Sequence, residues 1–174
     1  MKLLLWPATI VVALYALTLA SAHPLVRVNW TPSMPEGVYL ARYGAPAIRR
    51  GQTVLVCLPM SVAAVGQARG YIGPGDCPDG SAVLLKRVAA VPGDTVTIGA
   101  GGLAVNGTLL ANTRPLPFDS KGRAMRAMRP GSYTVTADSF WVVADHDPRS
   151  WDSRYFGALP ADALLGIAQP LLTF

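Results

Sequence analysis

Leu84-Leu85-Lys86-Arg87-Val88, running on to Val91-Pro92-Gly93-Asp94, is the stretch on which the reading of this chain turns. β-type residues fill Ala82 to Ala89, and Pro92-Gly93 ends the run with turn residues. On a strand, residues two apart share a face. Lys86 therefore points with Leu84 and Val88 toward an apolar interior, and Arg87 points the other way. Burial removes hydration from a lysine, disfavours its charged form and lowers its pKa. A lowering of about 3 units corresponds to about 4 kcal/mol, a cost that folds seldom carry without a function. A neutral amine beside a hydroxyl serves as a general base. The plainer alternative is a buried stem whose ammonium reaches water. The strand alone leaves both readings open.

Outward from this strand the chain reads as short β segments between Gly/Pro turns. Thr53 to Leu58, Thr95 to Ile98, Leu103 to Val105, Tyr133 to Thr136 and Phe140 to Ala144 have strand composition. Asn106-Gly107, between Leu103-Ala104-Val105 and Thr108-Leu109-Leu110, is a two-residue hairpin signal. Ser61 to Arg69 reads as one short helix, and Leu164 to Gln169 is ambiguous. Many short strands without a long amphipathic helix predict a mainly β fold, barrel-like or sandwich-like. There is no repeat, no low-complexity tract and no linker long enough to split residues 23–174, so they are expected to form one domain.

Residues Leu3 to Ala22 are almost wholly apolar. About 20 residues of helix reach about 30 Å, enough to cross a bilayer. Lys2 favours a cytoplasmic start. Residues 1–22 thus read as an N-terminal membrane anchor, and their length favours this over a cleaved signal sequence ending at Ala20-Ser21-Ala22. Either reading puts residues 23–174 outside the cytoplasm. Cys57 and Cys77 are the only cysteines, which in an oxidising compartment points to one disulfide, the alternative being two free buried thiols. Two cysteines without clustered histidines make a poor metal site, so neither a metal nor a cofactor is expected. Fifteen basic against ten acidic residues give +5. Lys121, Arg123, Arg126 and Arg129 alternate with Met125 and Met128 rather than with aromatics, which disfavours nucleic acid and fits a solvated basic hairpin near anionic lipid headgroups.

Two further segments bear on chemistry. Trp30-Thr31-Pro32-Ser33-Met34-Pro35 holds a serine between prolines, which restrict the backbone and keep the segment out of a helix. Asp145-His146-Asp147-Pro148-Arg149-Ser150-Trp151-Asp152-Ser153-Arg154-Tyr155-Phe156-Gly157 is a polar loop after an apolar strand, where sites are commonly built. Taken together, Ser-Met-Pro, Lys-Arg-Val…Pro-Gly-Asp and Ser-x-Asp-Ser-Arg-Tyr-x-Gly resemble the type I signal peptidase family of Ser/Lys proteases, over Trp30 to Gly157. Pro32 before the serine, Cys57-Leu58-Pro59, Arg69-Gly70-Tyr71-Ile72, Cys77-Pro78 and Trp151-Asp152 resemble its TraF-type, conjugative-transfer branch. Ala144 and His146 stand where housekeeping enzymes carry glycine and asparagine, and Pro32 where they carry a small residue.

The resemblance implies a coiled β-sheet or barrel catalytic domain with Ser33 as nucleophile and Lys86 as base. It implies an oxyanion hole from the Ser33 N–H and the Thr31 hydroxyl, Ser150 orienting the lysine, and Asp152 with Arg154 bracing the site. For Thr31 the alternative is a turn cap, and for Asp152 and Arg154 a surface ion pair of little weight. His146 raises a rival triad, Ser33–His146 with Asp145 or Asp152. The implied activity is cleavage of signal or pro-peptides from exported proteins, such as a pilin precursor with small residues before the scissile bond. The implied location is the inner membrane, single-pass, with the catalytic domain in the periplasm. If the substrate's own N-terminus is the acceptor, the same acyl-enzyme yields a cyclic pilin. An inactive structural module is disfavoured by the presence of both Ser33 and Lys86. A self-cleaving repressor is disfavoured by the apolar leader and the lack of a helix-turn-helix segment.

Overall fold

A computed structural model describes residues 25–44 and 46–174. The expected anchor, residues 1–22, lies outside the described residues. No described helix is long and apolar enough to cross a membrane.

The larger of two antiparallel sheets runs, in spatial order, β1 (Val26–Asn29), β2 (Gly37–Tyr43), β11 (Leu164–Thr173), β3 (Thr53–Val56), β4 (Leu84–Ala90), β9 (Ser139–Val143) and β10 (Leu159–Pro160). The smaller runs β7 (Thr108–Leu109), β6 (Gly102–Val105), β5 (Thr95–Gly99) and β8 (Gly131–Thr134). Between β6 and β7, Asn106 and Gly107 have φ of 50° and 82°. Two successive positive φ angles are what a tight hairpin turn of this hand needs. Helix α1 (Met60–Ala68) follows β3, and the single-turn helix α2 (Ser153–Phe156) follows β9.

Strand alternation builds two cores. Val88 of β4 and Phe140 and Val142 of β9 face one side, where Val54, Val56, Ala63 of α1, Ile72 and Leu159 pack on them. Ala89, Ala90, Trp141 and Val143 face the other side and are covered by Val96, Ile98, Leu103 and Val105 of the smaller sheet. The register shift between Val88 and Ala90 lets β4 serve both cores. Lys86 lies on the Leu84/Val88 side and is buried, and half-buried Arg87 turns the other way to Asp145, at 3.2 Å.

The fold is mainly β, as expected, but its sheets are open rather than closed into a barrel: β1 and β10 end one, β7 and β8 the other. Strands β1 and β2 were not anticipated, because the prolines around Ser33 obscure the short apolar runs on either side. The ambiguous segment from Leu164 is a ten-residue strand inserted between β2 and β3. Pro170 is tolerated in it because the pairing with β2 is irregular between Pro170 and Leu172. Gly166 permits the close approach to β2, since a Cβ there would run into the Arg42 carbonyl.

Two devices fasten the loops to these sheets. Cys57 and Cys77 form a disulfide 20 residues apart, tying the end of β3 to the loop before β4. Asp152 and Arg154 form a bidentate pair, both fully buried: Nε to Oδ1 and Nη2 to Oδ2, each 2.8 Å. Asp152 also accepts from the Ala144 and Arg154 amides, and Arg154 donates to the carbonyls of Asn112, Arg114, Pro148 and Ser150. Asp152→Ala would leave that guanidinium buried without its counter-charge, and denaturant melts should show a loss of about 3–5 kcal/mol. A loss below about 1 kcal/mol would reduce the pair to the weight of a surface bridge. For the double change Cys57→Ser/Cys77→Ser, chain entropy sets the expected loss at about 3 kcal/mol. Unreduced protein should take up no thiol-alkylating reagent, and labelling of both cysteines would contradict the bond.

Candidate active site

Ser33 sits in a tight turn that links β1 to β2. The turn is pinned from below by Met34, which is buried, and by Tyr39, whose hydroxyl donates to the Pro35 carbonyl at 2.6 Å. It is pinned from within by Asn29, the last residue of β1. The Asn29 Nδ2 donates to the carbonyls of Thr31, Met34 and Pro35 at 2.9, 3.0 and 3.0 Å. Its Oδ1 accepts from the Thr31 N–H at 3.2 Å and the Thr31 hydroxyl at 2.8 Å. From outside, His146 Nδ1 donates to the Pro32 carbonyl at 2.9 Å. Thus Ser33 is half-buried and held by backbone that has little freedom left.

Lys86 comes to the same place from β4. Ser33, Thr31 and Lys86 line one cleft, with Val26 to Thr31 along one wall and Ala82 to Leu85 along the other. The cleft continues past Tyr71 and Ile72 to Ser150 and Trp151. Lys86 is only 4 % exposed and has no hydrogen-bond or ion-pair partner among the described residues. Burial lowers its pKa from 10.5 to about 8. Asp152 and Asp147 pull it back up, and Arg154 adds to the lowering. Ser150 Oγ is likewise buried and without a partner, in the part of the cleft that Lys86 also lines. No hydrogen bond joins Ser33 to Lys86 in the resting structure; the Ser33 hydroxyl lies 3.1 Å from that of Thr31.

The site residues read from the sequence therefore divide into two groups. Ser33, Thr31, Lys86 and Ser150 share the cleft. Asp152 and Arg154 lie beneath it, fully buried, so the alternative of a surface ion pair does not hold. The rival triad has no geometric basis. His146 bonds to the Pro32 carbonyl instead of Ser33, Asp145 pairs with Arg87, and Asp152 is committed to Arg154. Asn29 was missed. Its one sequence signal is an Asx residue two before Thr31, a common turn pattern of low specificity. Asp119 was missed as well: it accepts from the Tyr71 hydroxyl at 2.6 Å and from Arg123 Nε at 2.7 Å, which orients a wall of the cleft. No sequence spacing links Asp119 to Tyr71.

A buried lysine whose amine has no partner, lining one cleft with a presented hydroxyl, fits nucleophile-and-base chemistry. The family model described as "Signal peptidase, peptidase S26" matches residues 1–172. A plasmid transfer protein TraF of Escherichia coli is 35% identical over 149 residues, spanning 85% of this chain and 83% of that protein. A conjugal transfer protein TraF of Agrobacterium fabrum is 37% identical over 150 residues, spanning 85% of this chain and 82% of the other. A probable signal peptidase I-2 of Synechocystis is 33% identical over 85 residues, spanning 49% of this chain and 36% of its own. With a family match over nearly its whole length, and a mainly β fold of two antiparallel sheets that brings the three motifs together, the chain belongs to the signal peptidase family, peptidase S26.

Proposed function

We propose that this chain is a membrane-anchored serine endopeptidase that removes signal or pro-peptides from exported proteins, with Ser33 as nucleophile and Lys86 as base. The observation that carries the reading is Lys86: a buried side chain whose amine has no partner, its pKa lowered to about 8 by burial, lining the cleft that holds Ser33. The TraF relatives, named for plasmid and conjugal transfer, support a context of conjugative transfer, within which the proposed substrate is a pilin precursor. The substrate enters as an extended strand. β1 is a sheet edge, and pairing of β4 with β9 begins only at Arg87, so backbone groups on both cleft walls are available to a peptide.

In the proposed mechanism, Ser33 Oγ attacks the scissile carbonyl while its proton passes to Lys86 Nζ. The tetrahedral intermediate collapses, the C–N bond breaks, and Lys86 returns the proton to the leaving amine. Water then attacks the acyl-enzyme, again giving a proton to Lys86, and that proton reprotonates Ser33 as the acid departs. Ser150 Oγ, unpartnered at rest, accepts from the amine and holds its lone pair toward Ser33. The developing oxyanion takes the Ser33 N–H and the Thr31 hydroxyl.

The disulfide supports an oxidising compartment, which fits a periplasmic catalytic domain. Exposed Trp30, Leu171, Leu172 and Phe174 gather on the β1–β2–β11 side, where Val28, Val38 and Leu172 are cross-strand neighbours. An apolar surface with tryptophan at its rim supports a position against lipid headgroups.

Incubation with a pilin precursor from a conjugative system, with products weighed, tests the reading. Ser33→Ala and Lys86→Ala should each lose about 10³-fold or more in rate while remaining folded. His146→Ala removes one exposed hydrogen bond and should stay within about tenfold. An active Lys86→Ala alongside a dead His146→Ala would overturn the assignment. A linear product marks hydrolysis, and one lighter by a water marks cyclisation.

Lys86 must be neutral to act, so kcat/KM should rise with pH through a limb near 8. Because the folded-state pKa is depressed, the folded protein binds fewer protons than the unfolded chain between about 8 and 10.5. Lys86 therefore costs stability progressively as pH falls through that window, levelling near about 3 kcal/mol below it. Lys86→Met should abolish this penalty and melt later than the parent at pH 7, whereas Ser33→Ala should retain it. A Lys86→Met protein that melts no later would contradict a buried neutral lysine.

A further inference from the structure

The proton count around Asn29 leads beyond the dyad. With Nδ2 facing three carbonyls and Oδ1 receiving the Thr31 N–H, the orientation of the carboxamide is decided by its partners. An amide oxygen has no proton to give, so the Thr31 hydroxyl must donate to Asn29 Oδ1 across 2.8 Å. Its one proton is then spent, and across the 3.1 Å contact Ser33 must be the donor and Thr31 the acceptor. The chain Ser33→Thr31→Asn29 thus has a single direction. It fixes the rotamer of Ser33 and leaves the Ser33 oxygen lone pairs to the rest of the cleft.

We propose that Asn29 is a positioning residue for the nucleophile: its amide group shapes the Thr31–Pro35 turn, and its carbonyl, through the Thr31 hydroxyl, fixes the rotamer of Ser33 in the cleft that Lys86 lines. The proposal rests on the Ser33/Lys86 reading. Asn29 touches no reacting atom. It acts through five hydrogen bonds: three to turn carbonyls, two from Thr31. It also has a catalytic consequence for Thr31, whose hydroxyl can serve the oxyanion only by releasing Asn29 Oδ1. The exchange is balanced: Ser33 turns its proton from Thr31 to Lys86, Thr31 turns its own from Asn29 Oδ1 to the developing oxyanion, and Asn29 Oδ1 keeps the Thr31 N–H.

The test needs no known substrate. Both native cysteines are in the disulfide, so Ser33→Cys introduces one free thiol at the site. Its alkylation by iodoacetamide across pH reports the thiol's apparent pKa, which a neighbouring ammonium lowers. Lys86→Met in this background should raise that pKa and slow alkylation at pH 7 by about tenfold, corresponding to about one pKa unit. Asn29→Ala in the same background should move both readings in the same direction by a similar factor, because a thiol no longer held in that rotamer loses the benefit of the lysine. Asn29→Leu, close to isosteric and uncharged, removes both the acceptor and the three amide donations and should shift likewise. It decides the matter if Asn29→Ala does not fold. Should Lys86→Met shift the thiol while folded Asn29 variants leave it unchanged, the positioning role falls and the dyad stands. Should Lys86→Met itself have no effect, the dyad reading falls, and the Asn29 proposal with it.

Discussion

The buried pair of Asp152 and Arg154 is the interaction on which the site depends. Two opposite charges taken out of water are costly unless every donor and acceptor finds a partner. Here the guanidinium gathers four backbone carbonyls besides the carboxylate, and the carboxylate takes two amides besides the guanidinium. Those partners come from Asn112 and Arg114, from Ala144 at the end of β9, and from Pro148 and Ser150. One ion pair thus clamps three stretches of chain. It also seats Ser150 at the cleft and sets the field around Lys86, since Asp152 raises and Arg154 lowers that lysine's pKa.

Against this satisfied network, the cleft above it stands out for what is left unpaired. Lys86 has no partner among the described residues, and Ser150 Oγ has none either. Buried polar groups without partners are rare because each carries a desolvation cost. Ser150 Oγ and Trp151 Nε1, both buried without a partner at the cleft that Lys86 lines, are where the fold carries that cost. The Ser33 turn complements this. Its backbone is held by Asn29, Tyr39 and His146, so little conformational freedom remains around Ser33.

The two sheets divide the labour. The smaller sheet covers one face of β4 and β9, which frees the opposite face to combine core packing with the lysine. Because β9 is buried on both faces, it is a rigid platform, and the loop that leaves it carries Ser150, Asp152 and Arg154. Around the rim, Asp119 holds Tyr71, and Tyr71 packs on Trp151 with ring centroids 5.3 Å apart, so a distant hairpin steadies a cleft wall.

Local pattern was sufficient for some of this. The period of two put Lys86 on the apolar face of its strand, Asn106-Gly107 marked its hairpin, and the cysteine count pointed to the bond that formed. Prolines on both sides of Ser33 declared a constrained turn, and the three motifs together declared the family. These features were legible because each depends on residues within a few positions of one another. Only the tertiary structure decided the rest. It placed β11 between β2 and β3, left the sheets open, buried Asp152 and Arg154 where a surface pair was equally readable, gave His146 to the Pro32 carbonyl and made Asn29 the clasp of the turn. The reason is physical: alternation says which face a side chain takes, but a hydrogen bond or ion pair takes its partner and its weight from residues far along the chain and from the water that the fold excludes.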